Sequence, residues 1–153
     1  MLARNRIEVV HGVNLDQLGR RDPTHYGPLT FDELERLVDE QARELDLKAR
    51  FFQTNHEGEL VEHLHNLQEQ ADGILLNPGA WTHYSYAIRD ALEIAALPTV
   101  EVHLSDVGSR EEFRRVSVIR DLCLTTVSGL GPDGYRVALE RLRDELAEEA
   151  VER

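Results

Sequence analysis

The sequence predicts an α/β fold in which a five-stranded parallel sheet carries helices on both faces. Three observations point there. Short apolar segments alternate with helix-periodic ones along the whole chain, the pattern of strand–helix–strand crossovers. The third strand, Ile74 to Leu76, is wholly apolar, as a strand buried on both faces should be. Polar residues gather just after the strands, at the carboxyl edge where such sheets bind their ligands. The pattern alone leaves the strand order open. A chain of 153 residues suits one domain, residues 1–153, with a charged C-terminal tail from about 145.

Ile7 to Val10 reads as the first strand, interrupted at Gly12. From there to Gly27 the chain runs as a polar loop containing Arg21, Pro23 and Tyr26. Leu29, Thr30, Glu33 and Leu34 combine a hydrophobic staple with a capping box. They start a helix at Thr30 that runs to about Leu45 and buries Phe31, Leu34, Leu37, Val38 and Leu45. Lys48 to Thr54 is the second strand, and Leu60 to Ala71 a helix with Leu60, Val61, Leu64 and Leu67 on its buried face. After the third strand, Ser85 to Ala96 is helical and Thr99 to Leu104 is the fourth strand. Leu122 to Val127 is the fifth, and Gly131 and Pro132 open a last helix. Glu145 to Arg153 is charged and expected to fray.

Composition excludes several classes. A formal net charge of −12 argues against a nucleic-acid surface and fits a soluble enzyme. No apolar run approaches the length needed to cross a bilayer, and MLARNR is followed by no apolar core of a secretory signal. A lone cysteine, Cys123, makes no internal disulfide and fits a reducing cytoplasm; in an apolar strand it reads as an inert buried thiol. His63 and His65, two apart on a helix, point in different directions, so no metal pair is expected. His25 reads as an exposed loop residue, and His56 as a helix cap or a member of the pocket.

The polar residues that follow the strands carry the chemistry. Asn14 follows the first strand, Asn55 and His56 the second, Asn77 ends the third, and Glu101 and His103 end the fourth. All meet at one edge. Glu101 and His103 are two apart and point to the same side of the sheet. A carboxylate there holds the imidazole's tautomer and favours its protonated form, as a general acid requires. An isolated Glu-x-His is more often a structural ion pair, but its place among polar groups at a strand's carboxyl end favours the chemical role. Arg110 and Arg114 fall on one face of a helical turn after the fourth strand. Glu111 and Glu112 are available to neutralise them, yet the placement favours a grip on a carboxylate or hydroxyl-rich ligand. Tyr26 stands five residues after Arg21. A free tyrosine, with a pKa of about 10, is a poor base at neutral pH, and a close cation favours its phenolate. Spacing alone favours a turn tyrosine packed on Pro23 beside an exposed arginine.

HGVNLDQLGRRDPTHYG, from His11, resembles the first-strand and lid segment of the type II 3-dehydroquinate dehydratases, usually NGPNLNxLGxRxPxxYG. FFQTNHEGELVEHLH from Phe51, LNPGAWTHYSYAIRDAL from Leu76 and VEVHLSDVGSREEFR from Val100 resemble the same family in the same order. The resemblance implies a flavodoxin-like three-layer sandwich of strand order 2-1-3-4-5. It implies a hydro-lyase that converts 3-dehydroquinate to 3-dehydroshikimate by anti elimination through an enolate, in the shikimate pathway or quinate catabolism. No metal, Schiff base or other cofactor is required. By the same resemblance Tyr26 is the base, Arg21 its activator, His103 the acid oriented by Glu101, and Asn14 the holder of a water against the enolate oxygen. Asn77, His83, Arg114 and the backbone around Leu104 and Ser105 would hold the substrate's hydroxyls and carboxylate. Arg21, Tyr26 and Arg110 belong to the lid or its hinge. Asp90 matches a position that the family supplies from a neighbouring subunit, implying trimers assembled into dodecamers. The implied partner is a small carboxylate substrate, with neither nucleic acid nor membrane.

The chain also departs from that pattern. His11 stands for asparagine, Val13 for proline and Asp16 for asparagine; further on, Asp106 stands for asparagine, Gly108 for histidine and Tyr84 for threonine. No residue assigned to proton transfer is lost. Asp16 and Asp106 add potential negative charge near an anionic substrate, which keeps open a relative that takes a different cyclic hydroxy-keto acid or only binds one. Two other classes fit poorly. A flavin-binding protein needs a Ser/Thr- and Gly-rich phosphate loop where GVNLDQLGRRD stands, and a receiver domain needs an aspartate at Asn77 and a lysine after the fifth strand.

Overall fold

A computed structural model describes residues 3–152; the first two residues of MLARNR and Arg153, the end of the charged tail, lie outside the described residues. Five strands, β1 (Arg6–His11), β2 (Lys48–Gln53), β3 (Gly73–Asn77), β4 (Thr99–His103) and β5 (Thr125–Ser128), form one parallel sheet in the order β2-β1-β3-β4-β5. The helices are α1 (Pro23–Tyr26), α2 (Phe31–Glu44), α3 (Glu57–His65), α4 (Tyr86–Ala95) and α5 (Asp133–Glu152).

Strand alternation divides the core in two. Val9, Leu75 and Val102 join Leu34 and Val38 of α2 and Leu139 of α5, whereas Val10, Ile74 and Leu76 join Leu60 and Leu64 of α3 and Ile88 and Leu92 of α4. The flavodoxin-like three-layer sandwich is therefore the observed architecture. Each fully buried Leu or Ile contributes roughly 1.5–3 kcal/mol, so both faces hold the sheet. The same alternation that sends Val100, Val102 and Leu104 into the α2/α5 core leaves Glu101 and His103 on the opposite face.

The capping box at Thr30 is present: its hydroxyl accepts from the Glu33 N–H at 3.2 Å while Glu33 accepts from the Thr30 N–H at 3.3 Å. Along α2, Leu34 and Val38 are buried, but Phe31 and Leu37 only half so. Four expectations need correction. The third helix starts at Glu57 rather than Leu60, because the Thr54 hydroxyl accepts from the His56 N–H at 3.0 Å and donates to Glu59 at 2.6 Å, closing the turn early. It ends at His65, with Leu67 buried in the turn beyond. The fifth strand starts at Thr125, since Arg120–Leu122 coils into a 3-10 turn. The tail does not fray: α5 continues to Glu152, with Leu142 and Leu146 buried and Glu149 paired to Arg4. Last, the loop after β1 contains a helical turn, α1, with Pro23 at its first position and the Asp22 carboxylate accepting from the Thr24 N–H at 3.0 Å.

Cys123 lies before β5, half-buried rather than in a strand, and its thiol donates to the Ile119 carbonyl. Burial pushes that thiol up to about 12, away from the thiolate form. His63 belongs to a separate cluster on the sheet. It bonds the buried carboxylate of Glu8 at 2.6 Å, stacks on Phe52 at 3.7 Å, and shares Glu8 with Arg50.

Candidate active site

The loops leaving β1, β3 and β4 enclose a cavity of about 150 Å³ at the carboxyl edge of the sheet. Two glycines let the first two of these loops touch backbone to backbone. A Cβ on Gly12 would stand 2.3 Å from the Pro78 carbonyl oxygen, and one on Gly79, at φ 63°, would stand 2.6 Å from the Val13 carbonyl oxygen.

Tyr26 closes α1 and enters this cavity. Its phenol oxygen accepts from two guanidiniums at 2.7 Å each, Arg21 Nη2 and Arg110 Nη1, and the Arg21 guanidinium also lies over the ring at 3.7 Å. Two guanidiniums thus converge on one oxygen. Arg21 therefore meets Tyr26 as the resemblance implies, and Arg110 joins them. Arg110 also reaches the Ser105 hydroxyl at 3.3 Å. Arg110 and Arg114 do not share a helical turn, as the spacing had suggested. Arg110 is extended after the 3-10 turn Val107–Ser109, and Arg114 sits in the next turn, Glu112–Arg115. Both still line the cavity, and Glu111 compensates them, at 2.9 Å from Arg114 and 3.9 Å from Arg110.

His103 faces the cavity from the end of β4, its Nε2 2.6 Å from Glu101 Oε2. Glu101 itself is fully buried behind it. That carboxylate also accepts from Thr82 at 2.5 Å, Ser117 at 2.8 Å and Thr126 at 3.3 Å. Burial works to raise the Glu101 carboxyl, but the bonds from His103, Thr82 and Ser117 outweigh it and hold the group below its ordinary value. Glu101 is thus ionised at neutral pH, and its bond to Nε2 leaves the other ring nitrogen of His103 for the cavity.

His83 ends the 3-10 turn Gly79–His83 and donates from Nδ1 to the Val116 carbonyl at 2.7 Å. Burial, with His103 and Arg114 nearby, lowers its basicity despite that bond. It therefore offers a neutral Nε2 acceptor. Asn14 adopts a left-handed backbone, φ 68°, with its N–H donated to Asn55 Oδ1 at 2.8 Å. Asn77, buried at the end of β3, accepts the Gly79 N–H on Oδ1 at 3.2 Å and donates from Nδ2 to Tyr135 at 3.0 Å. Asn14, Asn77, His83, Leu104 and Ser105 all line the cavity. Asp90 does not: it is exposed on α4.

The departures mostly point elsewhere. His11 is fully buried against Tyr135, Asp16 is bonded to Asn55 at 3.1 Å, and Asp106 caps the Val107–Ser109 turn. Tyr84 is exposed; Val13 alone of the departures lines the cavity. His56 takes the N-cap position of α3 without a side-chain cap, and His25 is half-buried rather than exposed. Lys48, the only lysine, opens β2 at the amino edge, across the sheet from the cavity. Among the described residues no three His, Cys, Asp or Glu side chains are grouped to hold a metal ion. Nor is any helix there long and apolar enough to cross a membrane.

Sequence reasoning missed the hydroxyls around Glu101. Thr126 was within reach, because the β4–β5 register sets it directly opposite Glu101. Thr82, in the short 3-10 turn Gly79–His83, and Ser117, in a loop, carry no periodic signal, and Tyr135 comes from the far end of the chain.

Residues 5–143 match the family model Dehydroquinase class II. The 3-dehydroquinate dehydratase of Thermotoga neapolitana is 51% identical over 138 residues, which cover 90% of this chain and 94% of that one. That of Bacillus pumilus is 47% identical over 137 residues, 90% and 93% of the two chains. Among solved structures, a type II dehydroquinase from Propionibacterium acnes superposes with a TM-score of 0.88 at 39% identity, covering 94% of this chain and 99% of that one. One from Butyrivibrio crossotus gives 0.87 at 38%, covering 92% and 98%.

Proposed function

The chain belongs to the class II dehydroquinase family, and on that premise we propose that it is a hydro-lyase that removes water from 3-dehydroquinate to give 3-dehydroshikimate. One observation carries the mechanism: a phenol oxygen held by two guanidiniums shares a cavity with an imidazole backed by a buried carboxylate. The first is placed to take a proton and the second to give one.

Tyr26, as phenolate, takes the proton from the carbon next to the ketone. The electron pair moves to the ketone oxygen, and the enolate forms against a water held by Asn14. As the enolate collapses, the bond to the hydroxyl on the next carbon breaks and His103 gives that oxygen a proton, releasing water. The ring product is a conjugated enone. Tyr26 ends protonated and His103 neutral, so the phenol gives up one proton and the imidazole takes one up through solvent before the next turnover. Asn77, His83, Arg114 and the backbone at Leu104 and Ser105 hold the substrate's carboxylate and hydroxyls, and Arg21, Tyr26 and Arg110 form the cover over it. A changed ligand has little support, because His11 and Asp16 turn away from the cavity.

Mixing the protein with 3-dehydroquinate should raise the ultraviolet absorbance of the enone. Borohydride added with substrate should leave the activity intact, since a Schiff base would need Lys48, across the sheet. No enone from folded protein rejects the assignment; borohydride inactivation rejects the enolate route.

The reaction would serve the shikimate pathway or quinate breakdown in the cytoplasm, within a dodecamer of trimers in which Asp90 completes a neighbour's site. Its exposure outside this chain's own cavity supports that, as do exposed Tyr84 and Tyr86 at the start of the same helix. Light scattering should return twelve times the 17.5 kDa chain mass. A monomer at micromolar concentration would count against the Asp90 role.

A further inference from the structure

Behind the cavity wall lie two buried polar side chains, Tyr135 and His11, that the mechanism does not use. Tyr135, from the first turn of α5, is fully buried, and its hydroxyl touches only two polar side chains among the described residues. These are Asn77 Nδ2 at 3.0 Å and His11 Nε2 at 2.8 Å. The direction of each bond follows from counting hydrogens. The Gly79 backbone N–H can only donate, so the Asn77 atom facing it at 3.2 Å is the carbonyl oxygen. The atom facing Tyr135 is then the amide nitrogen, which can only donate. One phenol lone pair is thereby taken, and the phenol hydrogen has one acceptor left, His11 Nε2.

His11 is neutral, since its complete burial drives its pKa down to about 3. Its two tautomers are not equivalent. With the hydrogen on Nδ1, that N–H is the one orphan of the network, for Nδ1 has no partner among the described residues. With the hydrogen on Nε2, both the phenol hydrogen and the bare Nδ1 are stranded. A buried orphan costs about 1–3 kcal/mol, so the first tautomer prevails.

We propose that His11 and Tyr135 are positioning residues that, together with the Gly79 N–H, hold the Asn77 amide in one direction, so that its second Nδ2 hydrogen donates into the cavity. The proposal rests on the dehydratase reading only for the identity of what Asn77 holds. The phenol hydrogen, drawn to His11, cannot turn toward Asn77. Without an acceptor at residue 11 it does turn, and the amide faces a choice between a donor at Tyr135 and a donor at Gly79. The residue that departs from the family's usual asparagine is on this account a working part of the substrate-holding wall.

Neutron diffraction of the parent protein reads the hydrogens directly. Deuterium between Tyr135 and His11 Nε2, with Nδ1 deuterated, supports the proposal; a phenol deuteron directed at Asn77, or a bare Nδ1, overturns it whether or not the protein has dehydratase activity. Kinetics test the consequence. Tyr135→Phe and His11→Leu should each raise KM for 3-dehydroquinate about tenfold, the loss of roughly one well-placed bond, with kcat within about threefold. His11→Gln, whose side-chain oxygen reaches toward the Nε2 position, should restore most of the KM. Unchanged KM in both variants with the parent active overturns the proposal, as does an equal fall in kcat. Folding is followed by thermal melting, and Tyr135→Phe removes a single oxygen atom should His11→Leu prove unstable. An inactive parent counts against the dehydratase assignment alone, with the neutron result still deciding the hydrogen-bond direction.

Discussion

Tyr26→Phe is expected to lower kcat for 3-dehydroquinate by about 10³-fold while leaving KM within a few-fold, the loss characteristic of removing a general base. The substitution deletes the one atom on which Arg21 and Arg110 converge and keeps the ring that Arg21 covers at 3.7 Å. Packing therefore survives while the proton acceptor does not. Two guanidiniums that had shared one oxygen are left facing each other, with Glu111 near Arg110 and the Ser105 hydroxyl as their remaining partners. Activity should not return at higher pH, because no titratable group replaces the phenol. Arg21→Ala and Arg110→Ala should each cost less than Tyr26→Phe, since either leaves one cation on the phenol oxygen. Steady-state rates from enone absorbance, with a melting curve for each variant, check this. Retention of kcat within threefold in Tyr26→Phe would mean that another group removes the proton.

What could be read from the sequence was what depends on neighbours along the chain. The Thr30–Glu33 capping box and the pairing of Glu101 with His103 are separations of three and two residues, and both stand as expected. The strand order followed from resemblance, and the meeting of Asn14, Asn77 and His103 at one edge from their places after the strands. What stayed hidden joins distant segments. Arg110 reaches Tyr26 across 84 residues, and His11 meets Tyr135 across 124. From the sequence His11 was only a departure near the site: alternation puts it on the face of Val9, but nothing along the chain names Tyr135 as its partner. The tail misled for the same reason. Its acidic composition reads as a solvated end, yet Leu146 is buried in the α2/α5 core and Arg4 binds Glu149 from the opposite terminus. Tertiary burial there overrode a local tendency to fray.

Glu101→Gln carries the second large effect, an expected fall in kcat of about 10²-fold or more. The amide fills the same volume but cannot match the donors around it. Oε2 accepts from His103 and Thr82, and Oε1 from Ser117 and Thr126, so whichever oxygen becomes an NH₂ group faces two donors. The hydroxyls can rotate to accept; the imidazolium cannot. The amide therefore keeps its oxygen toward His103 and turns its NH₂ to Ser117 and Thr126, so His103 loses the negative charge behind it while its ring stays held and the residues assigned to substrate holding are untouched. KM should stay within a few-fold. Because Glu101 acts through His103, the double variant Glu101→Gln/His103→Ala should be no slower than His103→Ala alone. Multiplying losses would instead give Glu101 an independent role. Stability supplies a second readout that is blind to catalysis. The Glu101 carboxyl lies below its ordinary value in the folded chain. Its ionisation therefore contributes stability that is complete above the ordinary carboxylate range and is lost as pH falls through the lower, folded value. The glutamine has no proton to bind. Denaturant unfolding of parent and variant should show a stability gap that is constant near neutrality and narrows on acidification; a gap independent of pH down to the acid limb of unfolding would mean that the four donors do not hold Glu101 as an anion.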